Sequence, residues 1–176
     1  MSPAAAALAA ELDAEFPITR RVLERVPTGK LAWQPHARSM ALGQLAEHIA
    51  RIPGSIAKLA QMDALDLATR PTTYPSGEST AAILGAFDQS VAAIRAALAD
   101  IDETRANAPW RMMFGDREIF TMPRIRVVRM MCLNHMIHHR GELVVYLRLL
   151  DVPVPVVYGR SADENPFAQP VAPVGA

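Results

Sequence analysis

The chain has 176 residues, of which 51% are hydrophobic and only 6% aromatic, a composition that favours one globular domain with an aliphatic, helical core. Its 18 basic and 18 acidic residues cancel, so no large electrostatic field exists to attract nucleic acid or an anionic membrane, and neither is an expected partner. We predict a single domain over residues 1–165, followed by a poorly ordered, proline-rich tail over residues 166–176.

The single cysteine and the N-terminus predict the compartment. Cys132 cannot form an internal disulfide and lies in an apolar stretch, which predicts a buried, inert thiol in a reducing environment. Residues 1–15 lack the basic start of a signal peptide, and no uninterrupted apolar run reaches the roughly 18 residues of a membrane span. We therefore expect a cytoplasmic protein.

Two amphipathic helices are predicted in the first third of the chain. The first begins at a serine-proline pair, covers about residues 2–26 and is expected to kink at Pro17. The second covers about residues 41–62, and Pro53-Gly54 is expected to bend or break it. His48 lies on or beside the apolar stripe of this second helix.

The middle of the chain alternates a loop, a helix and a flap. Residues 63–77 are rich in proline, aspartate, threonine and serine and are predicted to form a long loop. A third helix follows, capped by Ser76 or Ser79. Residues 102–123 then lose the helical period, and two short extended pieces around a Gly-Asp turn at 115–116 predict an irregular flap or small hairpin.

The last long helix, about residues 122–150, carries three of the five histidines. His135 and His139 are four residues apart and so lie on one helical face, a spacing that lets two imidazoles bind one metal ion. His138 is rotated about 100° from His139 and is expected to lie outside the ligand set. At least one more ligand must come from elsewhere, and His48 could converge with the pair.

Four helices with one short and two long connections predict an all-α fold. We expect a four-helix bundle with long connections and a short irregular or hairpin-like flap before the last long helix. Three neutral imidazoles supply nitrogen ligands to Zn(II), Ni(II) or Fe(II) and leave positions open for water or substrate. An open position lowers the pKa of bound water or of a bound thiol, which generates a nucleophile at neutral pH.

Four stretches of the sequence, in this order, resemble the DinB-like (damage-inducible) family of four-helix-bundle metalloproteins. The family includes bacillithiol- and mycothiol-dependent transferases. The stretches are Trp33-Gln34-Pro35-His36 with Ser39-Met40, Leu45-Ala46-Glu47-His48-Ile49, Asn134-His135-Met136-Ile137-His138-His139-Arg140-Gly141-Glu142-Leu143, and Pro153-Val154-Pro155 leading to Tyr158-Gly159-Arg160-Ser161-Ala162-Asp163-Glu164.

The resemblance implies a metal triad of His48, His135 and His139, holding a divalent transition metal, with zinc or nickel expected. It also implies a homodimer. The chain departs from the family pattern in two places, with Glu142 where members often have glutamine and Arg160 where they often have proline. The first of these departures concerns the lining of the pocket near the metal.

Two functions from different classes are compatible with these residues. The first is a metal-dependent enzyme of the hydrolase or thiol transferase type, in which the metal activates water or a small thiol against a small-molecule electrophile. The alternative is a non-enzymatic, stress-related binding or interaction protein with a structural or vestigial metal site. A helical module without metal is a weaker third reading.

We also predict the surroundings of several other residues, most of them near the histidines. Arg140 and Glu142 either hold a ligating histidine through its second ring nitrogen or form a solvated ion pair. Gly141, inside a helix, predicts the close approach of another helix. His138 is expected on the helix surface, and His36 is expected to hydrogen-bond locally in its connector.

Overall fold

The computed structural model describes residues 1–71, 73 and 75–167. Its regular elements, in chain order, are α1 (Pro3–Leu23), a 3-10 turn (Thr28–Lys30), α2 (Leu42–Leu59), β1 (Ala64–Asp66), a 3-10 turn (Leu67–Thr69), α3 (Thr80–Ala99), α4 (Glu103–Asn107), β2 (Pro109–Phe114), β3 (Arg117–Pro123), α5 (Arg124–Val128), a π-helical segment (Arg129–Asn134) and α6 (His135–Leu149). The four long helices pack in a ring, because α1 contacts α3, α3 contacts α2, α2 contacts α6 and α6 contacts α1.

The first helix begins where the sequence predicts. Ser2 Oγ accepts a hydrogen bond from the Ala5 N–H at 3.1 Å, and the Ser2 N–H donates to the Ile101 carbonyl at 2.7 Å. The α1 helix continues through Pro17 to Leu23. Its buried stripe consists of Ala5, Leu8, Leu12, Phe16, Thr19, Val22 and Leu23.

Helices α2 and α3 approach each other closely. A Cβ atom added at Gly54 of α2 would lie 2.9 Å from Ser90 Oγ and 3.3 Å from Ser90 Cα of α3, so a larger residue there would require Ser90 to shift. The α2 helix is unbroken at Pro53, which excludes the predicted break. Ser79, and not Ser76, caps α3, since its side chain accepts from the Ala82 N–H at 3.1 Å.

By length and composition alone, α3 is also apolar enough to cross a membrane. About a third of the relevant window, 33%, is buried within the fold, including Ile83, Phe87, Ile94 and Leu98. Core helices of soluble proteins pass the same test, so the finding is only a weak indication of a membrane span.

A three-stranded sheet, in the order β1-β2-β3, makes the all-α prediction wrong. The hairpin of β2 and β3 was expected as a flap, and its turn contains Gly115 at φ +58°. A bulge interrupts the register between Met112 and Met113. The parallel pairing of β1 with β2, with Leu65 opposite Met112, was not predicted, because three residues are too few to show an alternating pattern. The fold is therefore mostly helical with a small sheet.

Two buried side chains attach the sheet and α5 to the end of α2. Trp110 is fully buried and donates its Nε1–H to the Leu59 carbonyl at 3.2 Å. Arg124 is 3% exposed and donates to the Ala60 carbonyl at 3.1 Å and to Asp63 Oδ1 at 2.6 Å. These donors satisfy carbonyls that the last turn of α2 leaves without intrahelical partners.

The last long helix differs from a uniform α-helix. Six residues, Arg129–Asn134, are π-helical and immediately precede His135. The buried face of α6 consists of Met136, Arg140, Leu143 and Leu147. The helical face shared by His135 and His139 is therefore not the core face of the helix. It is a neighbouring, half-exposed face.

Residues 152–167 fold back onto α1 and α6. Arg140 is 1% exposed and donates to Glu15 Oε2 at 2.6 Å, to Thr19 Oγ1 at 3.0 Å and to the Tyr158 hydroxyl at 2.6 Å. Tyr158 in turn donates to Glu15 Oε2 at 2.8 Å. The predicted tail, residues 166–176, lies outside the described residues beyond residue 167.

Candidate metal centre

Three imidazoles from two helices converge by their Nε2 atoms. His48 Nε2 on α2 lies 3.0 Å from His135 Nε2 on α6, and His139 Nε2, one turn further along α6, lies 3.1 Å from the same atom. All three nitrogens lie within 4.8 Å of one another. The structure therefore brings together the three histidines that the sequence singles out, in an arrangement compatible with a metal site.

Two of the three distances between these nitrogens, those from His135 to His48 and to His139, fit ligands of a single first-row ion. Two nitrogens that are each about 2.0–2.1 Å from one ion lie roughly 2.9 Å apart at a right angle and roughly 3.3 Å apart at a tetrahedral angle. The observed 3.0 and 3.1 Å fall between these values. Imidazole nitrogen is a good donor to zinc, nickel and iron alike, so the donor set fits a divalent transition metal.

Burial keeps two of the imidazoles neutral. Loss of hydration, followed by repulsion from the imidazoles of His139 and His135, lowers the pKa of His48 to about 4. The pKa of His135 is also lowered to about 4, first by burial and then by His139 and His138. At neutral pH both rings therefore carry a lone pair that a metal can accept.

The carboxylate of Glu142 holds His139 from behind. Its Oε2 lies 2.6 Å from His139 Nδ1, so the opposite ring nitrogen, Nε2, faces the other two histidines. Only 12% of the His139 side chain is exposed. Of the two alternatives for Glu142, the structure supports contact with a histidine of the triad.

His138 lies on the helix surface, as predicted. Its side chain is 64% exposed, and its Nε2 lies 3.3 Å from Glu142 Oε1. A second group of donors close enough to bind one metal consists of His138, His139 and Glu142. In this group the nitrogen of His139 that faces Glu142 is Nδ1, whereas Nε2 faces the triad.

Other expectations for this region have mixed outcomes. Arg140 contacts none of the three histidines and is not solvated, so both alternatives for it are wrong; it is the buried partner of Glu15. Gly141 has open space around it, so the expected close approach of another helix is also wrong. His36 accepts a local hydrogen bond at Nδ1 from the Arg38 N–H at 3.1 Å, as expected.

A cavity of about 420 Å³ opens beside the triad, with His48 and His135 in its wall. Its other charged lining residues are Glu47, Arg51 and Arg70, none of which the sequence analysis identified. Arg51 had a usable signal, since a residue three after His48 on a helix lies close to the same face, whereas Glu47, one before His48, is rotated about 100° from it and had none. Arg70 had none, because its position depends on the path of the connection after α2.

Comparisons with known proteins agree with this architecture. The sequence matches the DinB family model over residues 1–169. The crystal structure of a DinB-like protein from Bacillus cereus ATCC 10987 is similar, with a TM-score of 0.67, 23% identity, and coverage of 86% of this chain and 95% of the other. A DinB-like protein from Bacillus subtilis gives a TM-score of 0.63, 16% identity, and coverage of 85% and 96%.

At these identities the two structures establish a shared fold and nothing about activity. No curated protein matches the sequence. The family model nevertheless spans almost the whole chain, including the triad and the segment folded back onto α1. This protein therefore belongs to the DinB family.

Proposed function

We propose that this protein is a metal-dependent enzyme in which His48, His135 and His139 hold one divalent transition metal. Zinc or nickel is the proposed ion. The observation that carries the proposal is the convergence of three Nε2 atoms, from two helices, at the wall of a cavity large enough for a small molecule. Three protein ligands are the number typical of catalytic rather than closed structural zinc sites.

A bound ion with open positions supplies a nucleophile by lowering the pKa of water or of a small thiol. The chain's own residues do the rest. His48 and His135 are held neutral by burial, and Glu142 orients His139. We propose that the adjoining cavity positions a small electrophile and that the reaction is of the hydrolase or thiol transferase type.

Metal analysis of the untagged protein tests the proposal. About one equivalent of transition metal is expected in the parent, and little in His48→Ala or His139→Ala, because two imidazoles alone bind weakly. Glu142→Gln keeps an acceptor for His139 but loses its charge, and we expect roughly tenfold weaker metal binding.

His36→Ala and His138→Ala are matched controls, since each removes a histidine outside the triad. Both are expected to keep the parent's metal content. Loss of metal in His138→Ala with retention in His48→Ala would assign the ion to the neighbouring group of His138, His139 and Glu142. Full turnover of a thiol or ester substrate by metal-free protein would refute the enzyme proposal.

The second candidate is a binding protein in which the metal is structural. The observation in its favour is that the triad joins two helices, α2 and α6, so an ion there would cross-link them. A large fall in melting temperature on chelation, with no turnover of any thiol or ester, supports this function over the first.

The wider assignment follows the family resemblance. We propose that α1, α2, α3 and residues 124–149 act as a four-helix bundle, supported by their cyclic contacts. We also propose a homodimer, a small thiol or electrophile as partner, and a cytoplasmic location. Light scattering on purified protein measures the oligomeric state directly, and a monomer at working concentrations would contradict the dimer.

A further inference from the structure

Two kinds of side chain line the cavity beside the triad. The polar and charged ones include His48 and Glu47 from α2 and His135 from α6. The apolar ones come from α2, β1, the 3-10 turn after β1 and the π segment, and are Ile52, Ile56, Leu59, Leu65, Leu67 and Met131. A ligand in this cavity would bury a hydrocarbon body while one end reaches the histidines.

The charges in the wall are not balanced. Glu47 is 4% exposed and accepts from Arg51 Nε at 2.5 Å, so these two groups neutralise each other. Arg70, in the connection after β1, also lines the cavity. No carboxylate within residues 1–71, 73 and 75–167 pairs with Arg70. The charged side chains that line the cavity, Glu47, Arg51 and Arg70, therefore leave a net positive charge.

We propose that the cavity binds a small molecule with an apolar body and a single carboxylate, whose carboxylate pairs with Arg70. A guanidinium presents paired N–H donors that match the two oxygens of a carboxylate. One unpaired guanidinium favours a ligand with one negative charge, and the aliphatic lining favours a hydrocarbon chain or ring. This inference names the substrate class of the proposed enzyme and rests on that function.

The arrangement orients the ligand. In the proposed complex the carboxylate pairs with Arg70, the apolar body lies against Leu65 and Ile56, and the other end of the ligand faces His48 and His135, since all five residues line the cavity. The carboxylate then serves as a handle, and the reacting group is at the other end of the ligand. Binding energy from such a handle positions the reacting group.

Calorimetric titration with octanoate and with octanamide, its neutral isostere, tests this inference in zinc-loaded protein. The parent is expected to bind octanoate at least about fivefold more tightly than octanamide. Arg70→Gln is expected to abolish that preference and to leave octanamide binding unchanged, which also shows that the variant is folded. Arg117→Gln, an exposed arginine on β3 outside the cavity, is the matched control and is expected to behave as the parent.

The outcomes separate this inference from the metal proposal. Octanoate binding that survives Arg70→Gln but disappears in His139→Ala would mean that the carboxylate binds the metal, which overturns the inference and leaves the metal site intact. Absence of binding, or equal affinity for octanoate and octanamide, also overturns it. An Arg70-dependent preference in a parent that holds no metal supports the ligand class and contradicts the proposed enzyme.

Discussion

Glu142 determines which ring nitrogen of His139 carries the proton. A neutral imidazole has one N–H and one lone pair, and a carboxylate at 2.6 Å from Nδ1 favours the tautomer with the proton there. The lone pair then lies on Nε2, toward His135 and His48. Glu142 thus supplies a negative charge directly behind a triad histidine.

Cys132 is predicted to be unreactive in the folded protein. Burial raises the pKa of its thiol to about 12, from an ordinary value of 9.0. At pH 8 the thiolate fraction is then roughly a thousandfold lower than that of an ordinary thiol, and labelling by Ellman's reagent should slow accordingly.

The pKa of the Cys132 thiol is higher in the folded protein than in the unfolded chain, so burial of the neutral thiol makes its full contribution to stability below pH 9. This contribution is lost as the pH rises through 12. For the labelling experiment, the same protein unfolded in urea is the control, and its thiol should react with one equivalent of Ellman's reagent. Equal rates in the two states would contradict a buried thiol.

The triad was predictable from spacing, whereas most of its surroundings were not. Two histidines four residues apart on a helix share a face in any helical fold. The pairing of His135 with His139 could therefore be predicted from the local sequence alone. The approach of His48 is a tertiary contact and needed the family pattern. The contact between Glu142 and His139 was one of two alternatives, and Arg70 reaches the cavity only through the path of its connection.

At the scale of elements, the π segment sets the rotation of α6 relative to α5. The buried residues Arg124, Val128, Cys132, Met136 and Arg140 are all four apart. In a pure α-helix, four such steps would drift by about 160° around the axis, and the stripe would leave the core. One extra residue in a π turn removes about 100° of that drift. The unbroken series of fours is the sequence signal for the π segment, and a search for ordinary helical periodicity overlooks it.

Deletion of Met130, a part-exposed residue of the π segment, is predicted to uncouple the two ends of the long helix. The segment should become α-helical, and either α5 or α6 must then rotate by about 100°. Since Arg140 anchors α6 and Arg124 anchors α5, the variant should lose metal binding, stability or both. Metal analysis and urea denaturation measure these losses.

Met130→Ala is the matched control, because it removes the same side chain without changing the length of the helix. It should keep both metal content and the free energy of unfolding to within about 1 kcal/mol. A deletion variant with the parent's metal content and stability would show that the π segment does not position the triad.

At the scale of the whole molecule, Arg140 joins three distant parts of the chain. It lies on α6 and contacts Glu15 and Thr19 on α1 and Tyr158 in the C-terminal segment. Its guanidinium also lies 4.9 Å from the Tyr158 ring centroid. These contacts connect α6 with α1 and with the C-terminal segment.

Arg140→Ala is predicted to lower the free energy of unfolding by about 3 kcal/mol, because it leaves the Glu15 carboxylate, whose side chain is only 15% exposed, without its cation. Tyr158→Phe should cost about 1 kcal/mol, since it removes one hydroxyl. Arg148→Ala is the control: it breaks an ion pair with Asp163 in which the arginine is 46% exposed, and should cost less than about 1 kcal/mol. Urea denaturation checks all three, and a loss for Arg140→Ala as small as that for Arg148→Ala would contradict a buried role.

The order and type of the long helices could be predicted, because each carries its own apolar period. The small sheet could be predicted only in part. Its hairpin joins two strands that are adjacent in the chain. In contrast, α3 and α4 lie between β1 and β2 in the sequence, and the three residues of β1 are too few to predict which strand they pair with. The position of the C-terminal segment depends on charged contacts such as Glu164 with Arg21 and Arg25, which have no periodicity.

The outer edge of β3 is the place where the molecule is most exposed to aggregation. Within the described residues no strand pairs with that edge, and Ile119 on it is 44% exposed. The strand begins with charged Arg117 and Glu118, ends at Pro123, and itself carries the bulge, because Met112 and Met113 are opposite Phe120 and Glu118 and leave Ile119 as the extra residue. Charge, proline and the bulge each disfavour addition of a foreign strand, so the hairpin does not offer a template for fibrils.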